Sequence, residues 1–123
     1  YSGLPVVATG WSGHLDFLVD KEGNECFYNV AFDLQPVQQE VVWNGVLIKE
    51  SMWAYAREQS AKEQMRLCYD QMTNEETRGT EILALEQNVK RLYETYSVNK
   101  MYEEFVSLLD ASEENIQPGV FVL

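Results

Sequence analysis

An α/β fold with few parallel strands and a helix-rich C-terminal half is predicted by three features of the sequence. A valine-rich apolar run spans Leu4 to Thr9, a loop with two glycines follows it directly, and apolar residues of helical period recur in three stretches between Ala61 and Leu109. The order strand, glycine loop, helix start is where ligands collect in α/β sheets. Loops after the carboxyl ends of strands turn free backbone N–H groups and a helix dipole toward the crevice.

Taken in order, Leu4-Pro5-Val6-Val7-Ala8-Thr9 reads as a strand covered on both faces, with Pro5 at its entrance where a missing N–H matters least. Gly10-Trp11-Ser12-Gly13 reads as a loop feeding a short helix, His14 to Val19, with Ser12 as its N-cap. Asp20 to Glu25 is a polar turn, and Cys26 to Phe32 has the aromatic and β-branched content of a second strand. Asp33 to Val37 reads as a turn or loop, Gln38 to Trp43 as one helical turn, and Trp43 to Ile48 as irregular. Trp43, Trp53 and Tyr55 are expected to pin this excursion by burial.

The rest is helical. Ser60-Ala61-Lys62-Glu63 has capping-box spacing, and Ala61, Met65, Cys68 and Met72 share a face after it. Thr73 to Thr80, with Asn74 and Gly79, reads as a break. Ile82, Leu85, Val89, Leu92, Tyr93 and Tyr96 form a second stripe; Val98, Met101, Tyr102, Phe105 and Leu109 form a third behind a Ser97 cap. All three stripes are read as core faces. Pro118-Gly119 turns the chain into an apolar end, Val120 to Leu123, that forms an extra strand or a docking tail. With no repeat and no linker, residues 1–123 read as a single domain.

Composition narrows the function. Nine basic and twenty acidic side chains give a net charge of −11, which repels nucleic acid and anionic membranes. Cys26 and Cys68 lie far apart without CxxC spacing, and His14 is the one histidine, so neither a disulfide framework nor a metal site is signalled and a cytoplasmic setting fits. No apolar run is long enough for a transmembrane segment. The start at Tyr1-Ser2-Gly3, without methionine, reads as a piece of something longer.

Gly3-Leu4-Pro5-Val6-Val7-Ala8-Thr9, followed by Ser12-Gly13 and then Asp16-Phe17-Leu18, resembles the group 1 (family 4) glycosyltransferases of GT-B fold, closest to phage and marine-microbial members. Leu92 to Phe105 is similar to the closing helices of that family, and Trp53-Ala54-Tyr55 occupies its passage from last strand to helices. The resemblance covers most of the chain, with Asp33 to Ser51 the least familiar part. It implies the C-terminal part of a Rossmann-like donor-binding domain and transfer of a sugar from a nucleoside-diphosphate sugar to an acceptor hydroxyl, with retention at the anomeric carbon. The family's donor-contacting glutamates, and the cations that grip the diphosphate, fall upstream of the strand that opens this chain. The resemblance therefore implies that this piece alone is inactive.

Gly10, Trp11, Ser12, Gly13, His14 and Asp16 are the candidate donor-binding loop, with no catalytic residue and no cofactor or metal assigned. Backbone N–H groups at Gly10, Ser12 and Gly13 could approach a phosphate or sugar. The commoner use of these residues is structural: the glycines turn the chain, Ser12 caps a helix, His14 sits at the surface or in a supporting position, and Asp16 buttresses the loop. Glu22, Glu25, Glu40, Glu50 and the helical glutamates read as solvated charges. A Rossmann-like half has about six strands, so this unit is expected to form a homo-oligomer or to bind a missing N-terminal half. The competing reading is an acidic helical protein-interaction module whose glycine loop is purely structural.

Overall fold

The computed structural model describes residues 1–114, and Pro118 to Leu123, assigned above to a turn and an apolar end, lies outside them. The architecture is mixed α/β. In chain order it runs β1 (Val7–Thr9), α1 (Leu15–Leu18), β2 (Tyr28–Val30), β3 (Phe32–Pro36), a 3-10 turn (Gln39–Val41), β4 (Met52–Ala56), α2 (Glu58–Thr73), α3 (Glu75–Tyr96) and α4 (Val98–Glu114). β1 and β2 pair in parallel, Val7 opposite Tyr28 and Thr9 opposite Val30. β3 and β4 form a separate antiparallel ribbon, Phe32 opposite Ala56 and Pro36 opposite Met52. Helix α2 lies against β1, β2 and α3, while α4 touches α3.

The opening strand is shorter than the apolar run predicts. Pairing is confined to Val7–Thr9, which is half-buried, and Leu4 and Val6 are exposed. The second strand divides at Ala31, where the chain leaves one sheet for the other. At that corner the Ala31 N–H donates to Ser60 Oγ at 2.9 Å and the Arg57 N–H donates to the Ala31 carbonyl at 2.8 Å. This explains why the capping box fails. Helix α2 begins two residues before Ser60, after Arg57, because the Ser60 hydroxyl is taken up by a backbone donor that would otherwise be orphaned.

Most of the segment Asp33 to Val37 is strand rather than turn, since β3 runs from Phe32 to Pro36 and only Val37 falls outside it. Asp33 is held from across the ribbon by a two-pronged Arg57 contact, Nε to Oδ2 at 2.9 Å and Nη2 to Oδ1 at 2.5 Å, and the same guanidinium holds the Asp33 carboxyl below its ordinary range. Pro36 is tolerated because it ends a strand with an open edge. The helical turn near Gln38 is present as the 3-10 turn. The aromatics do not pin the excursion: Trp43 is 68% exposed and Trp53 41%, Tyr55 is half-buried, and the buried anchor is Val37.

The break expected over Thr73 to Thr80 is a single residue. Asn74 closes α2 through its N–H to the Asp70 carbonyl (2.9 Å) and opens α3 by accepting the Glu76 N–H on Oδ1 (2.9 Å). Gly79 is helical. Ser97 caps α4 as expected, accepting the Lys100 N–H at 3.3 Å.

The core is small. Leu18, Val30, Val37 and Leu92 are the buried apolar residues among those described. The first stripe is half-buried at Ala61, Cys68 and Met72 but exposed at Met65; the second buries Leu92 and half-buries Leu85, Val89 and Tyr96 while Ile82 and Tyr93 face water. The third is not a core face: Val98, Met101, Tyr102 (66%) and Phe105 (61%) are all exposed. Periodicity reports which side chains share a helix side, and this side stays largely exposed among the described residues.

Replacing Leu92 by alanine is expected to destabilise the chain by about 2–4 kcal/mol, against under about 1 kcal/mol for Ile82→Ala. Urea unfolding followed by circular dichroism distinguishes them, and equal effects would mean that the core lies elsewhere.

Candidate functional site

The loop from Gly10 to Asp16 leaves the carboxyl end of β1 and enters α1. Gly10 passes tightly over β2: a Cβ there would lie 2.5 Å from Asn29 Oδ1 and 2.6 Å from its Nδ2, and that amide is itself held by Glu25 (Nδ2 to Oε1, 2.6 Å). Only glycine fits without displacing Asn29. Trp11 and His14 are half-buried, and Ser12 and Gly13 are exposed.

Ser12 does not cap the helix through its side chain. Its φ is +83°, in the left-handed region, and its carbonyl accepts the Leu15 N–H at 3.1 Å. His14 takes the N-cap position, without a side-chain cap. Its Nε2 lies 2.6 Å from the Thr9 carbonyl, which can only accept, so Nε2 carries the proton and ties the loop to the end of β1. Asp16 buttresses the loop through its main chain, its carbonyl accepting the Tyr96 hydroxyl at 2.6 Å. Helix α1 is a single turn, too short for the dipole that the sequence suggests.

Two clefts are formed by the elements around the loop. One, of about 240 Å³, opens between the parallel strands and the helices α2 and α3, with Val6, Cys26, Tyr28, Glu81 and Leu85 among its walls. The other, wider, of about 620 Å³, lies between α1, the Asp20 turn, the end of α3 and the start of α4, and carries both signs of charge on Asp16, Asp20, Lys21, Arg91, Lys100 and Glu104. Asp16 lines the second; Gly10, Trp11, Ser12, Gly13 and His14 line neither. The six candidates are thus contiguous in space, and one of them faces these clefts. Among the described residues no three of His, Cys, Asp and Glu gather closely enough to hold a metal ion.

The chain matches no family model, no curated protein and no solved structure.

Sequence reading missed the groups that organise the two clefts. In the first, Tyr28 donates its hydroxyl to Glu81 Oε2 at 3.2 Å, and burial, followed by the Glu81 charge, pushes the Tyr28 phenol up to about 12. Cys68 beside them is raised for the same two reasons. In the second, Arg91 spans the gap to α1, donating from Nη2 to the Phe17 carbonyl at 2.7 Å and to Asn88 Oδ1 at 2.6 Å. The signal was present in the sequence. Glu81, Leu85, Asn88 and Leu92 recur at helical spacing on one face, so a carboxylate and an amide sit in an otherwise apolar stripe, with Arg91 at its margin.

Two measurements follow from this geometry. If the left-handed backbone at Ser12 is strained, Ser12→Gly raises stability by about 0.5–1 kcal/mol; a side-chain cap would instead make it a loss, and thermal unfolding reads the sign. For Tyr28, a phenol that keeps its proton to about 12 when folded but releases it near 10 when unfolded leaves stability intact below pH 10 and lowers it as pH rises toward about 12. The urea midpoint of the native chain should fall across that window by more than that of Tyr28→Phe, and parallel curves would rule the coupling out.

Proposed function

We propose that the chain is the closing segment of the donor-binding half of a nucleotide-sugar-dependent glycosyltransferase, a partial Rossmann-like unit acting in the cytoplasm. The observation that carries this reading is the parallel pairing of β1 with β2 around the Gly10 to Asp16 loop, together with the sequence of that loop. In open α/β sheets ligands sit outside the carboxyl ends of parallel strands, and the loop occupies that position relative to β1.

On this reading the loop contributes backbone N–H groups and shape at the rim of a donor pocket. Transfer needs stabilisation of a diphosphate leaving group and an oxocarbenium-like centre, a task for positioned donors and cations rather than for covalent chemistry. Exposed Ser12 and Gly13 can approach a sugar or phosphate, His14 holds the loop closed on β1, and Asp16 keeps it on α3. No residue of this chain is assigned as acid, base or nucleophile, and the segment is proposed to turn over no donor by itself.

A second reading is favoured by the uncovered apolar side of α4: an acidic helical interaction module that binds a protein partner or a second copy. One titration separates the two. Nucleoside-diphosphate sugars added to the isotopically labelled chain should shift the amide resonances of Gly10 to Asp16 at micromolar-to-millimolar concentration. Gly13→Ala, whose new methyl meets open space and leaves the fold intact, should weaken that binding by about tenfold. No shift at millimolar donor, with self-association in the same samples, would discard the transferase reading in favour of the module.

A further inference from the structure

The excursion between β3 and β4 ends in a tight reversal. The Trp43 carbonyl accepts the Val46 N–H at 2.9 Å and the Leu47 N–H at 2.7 Å, and the Trp43 N–H returns to the Leu47 carbonyl at 2.8 Å. Asn44 and Gly45 form the tip. Gly45 has φ +80° and nothing within 4 Å of where a Cβ would be. Both residues are exposed, and neither the Asn44 amide nor the Gly45 N–H has a hydrogen-bond partner among the described residues.

We infer that Asn44 is a site of spontaneous chemical modification, deamidation through a cyclic imide, selected from the described asparagines by this tip. The Gly45 backbone nitrogen, on losing its proton to hydroxide, attacks the Asn44 side-chain carbonyl carbon. A new N–C bond closes a five-membered succinimide ring, the C–N bond of the amide breaks, and the nitrogen leaves as ammonia. Water then adds to one of the two ring carbonyls and reopens it, giving aspartate or isoaspartate at position 44. The net change is water taken up and ammonia released. Glycine favours the attack because no side chain blocks the approach of its nitrogen, and a free N–H is one that can be deprotonated without breaking a structural bond.

The other described asparagines are each restrained. Asn24 donates to Asp20 Oδ2 at 2.8 Å and Asn29 to Glu25 Oε1 at 2.6 Å; Asn74 accepts the Glu76 N–H at 2.9 Å and Asn88 accepts from Arg91 at 2.6 Å. The residues that follow them are Glu25, Val30, Glu75 and Val89, all bulkier than glycine. Asn99 sits in the first turn of α4, and the N–H of Lys100 after it is engaged by Ser97 Oγ.

Modification would place a negative charge beside exposed Trp43, and the isoaspartate form would add a methylene to the main chain inside the reversal that pairs Trp43 with Leu47. The test is to age the full chain in mildly alkaline buffer, both folded and in urea, and follow each asparagine by peptide mapping and mass spectrometry. In the folded chain, peptides containing Asn44 should gain a single dalton and split into two isomers about tenfold faster than those containing Asn24, Asn29, Asn74, Asn88 or Asn99, at a rate within a few-fold of that in urea. Asn44→Gln, whose longer side chain closes a six-membered ring far more slowly, should abolish the change while retaining the circular dichroism spectrum. A folded-state rate at Asn44 that is tenfold or more below the urea rate would show that the turn protects it, and conversion at another described asparagine first would show that the tip is not the selecting feature; either result overturns the inference.

Discussion

The contact between the single-turn helix α1 and the C-terminal half of α3 is the constraint on which the rest depends. A helix of four residues cannot hold itself, since nucleation is unfavourable and most of its carbonyls have no partner within it. Here two of those carbonyls are served from α3, Asp16 by Tyr96 and Phe17 by Arg91, while the Leu18 carbonyl accepts the Cys26 N–H at 2.8 Å. Leu18 and Leu92, two of the four buried apolar residues described, lie at the same junction around a gap of about 110 Å³. The N-terminal segment reinforces it from the other side, Tyr1 donating to the Tyr96 carbonyl at 2.8 Å and packing edge-on against Tyr93. Loop, parallel strands and long helices keep their relation because this junction combines buried apolar contact with hydrogen bonds.

The candidate loop inherits its shape from the same junction. Its start is fixed by Gly10 against Asn29, its middle by His14 on Thr9, and its end by Asp16 on Tyr96. Three ties in seven residues leave Ser12 and Gly13 as the stretch that projects into water. A loop held at both ends with a bare centre suits close approach by a ligand, and the proposed transferase role uses that property. It suits an inert turn equally, which is why binding rather than shape decides between the two readings.

The strands and helices were legible in the sequence where local chemistry was unopposed. The apolar β1, the polar turn at Asp20 and the Ser97 cap needed no knowledge of the rest of the chain. Reading failed where a group was claimed from a distance. Ser60 has the spacing of a capping residue but answers Ala31, twenty-nine positions away. Pro36 and Asp33 carry turn chemistry but sit in a ribbon whose open edge and Arg57 contact accept them. The α4 stripe shows a limit of another kind, because amphipathicity marks a side that wants covering and cannot say whether the cover belongs to this chain. Near the loop, Arg91 and the hydroxyl of Tyr96 were hidden, because the stripe on α3 was read only for its apolar surface.

Both sheets have two strands among the described residues, so every strand has one edge to which no further strand is paired. Such borders are adhesive, since any extended segment can continue the ladder. The chain places no bulge or lysine on β1 to blunt its border, and its defence is global: eleven excess negative charges make each molecule repel its neighbours. That protection is only as long-ranged as the ionic atmosphere allows, about 10 Å in dilute salt and about 3 Å near molar salt. Dispersal of these molecules is thus set by the solvent's ions as much as by the fold.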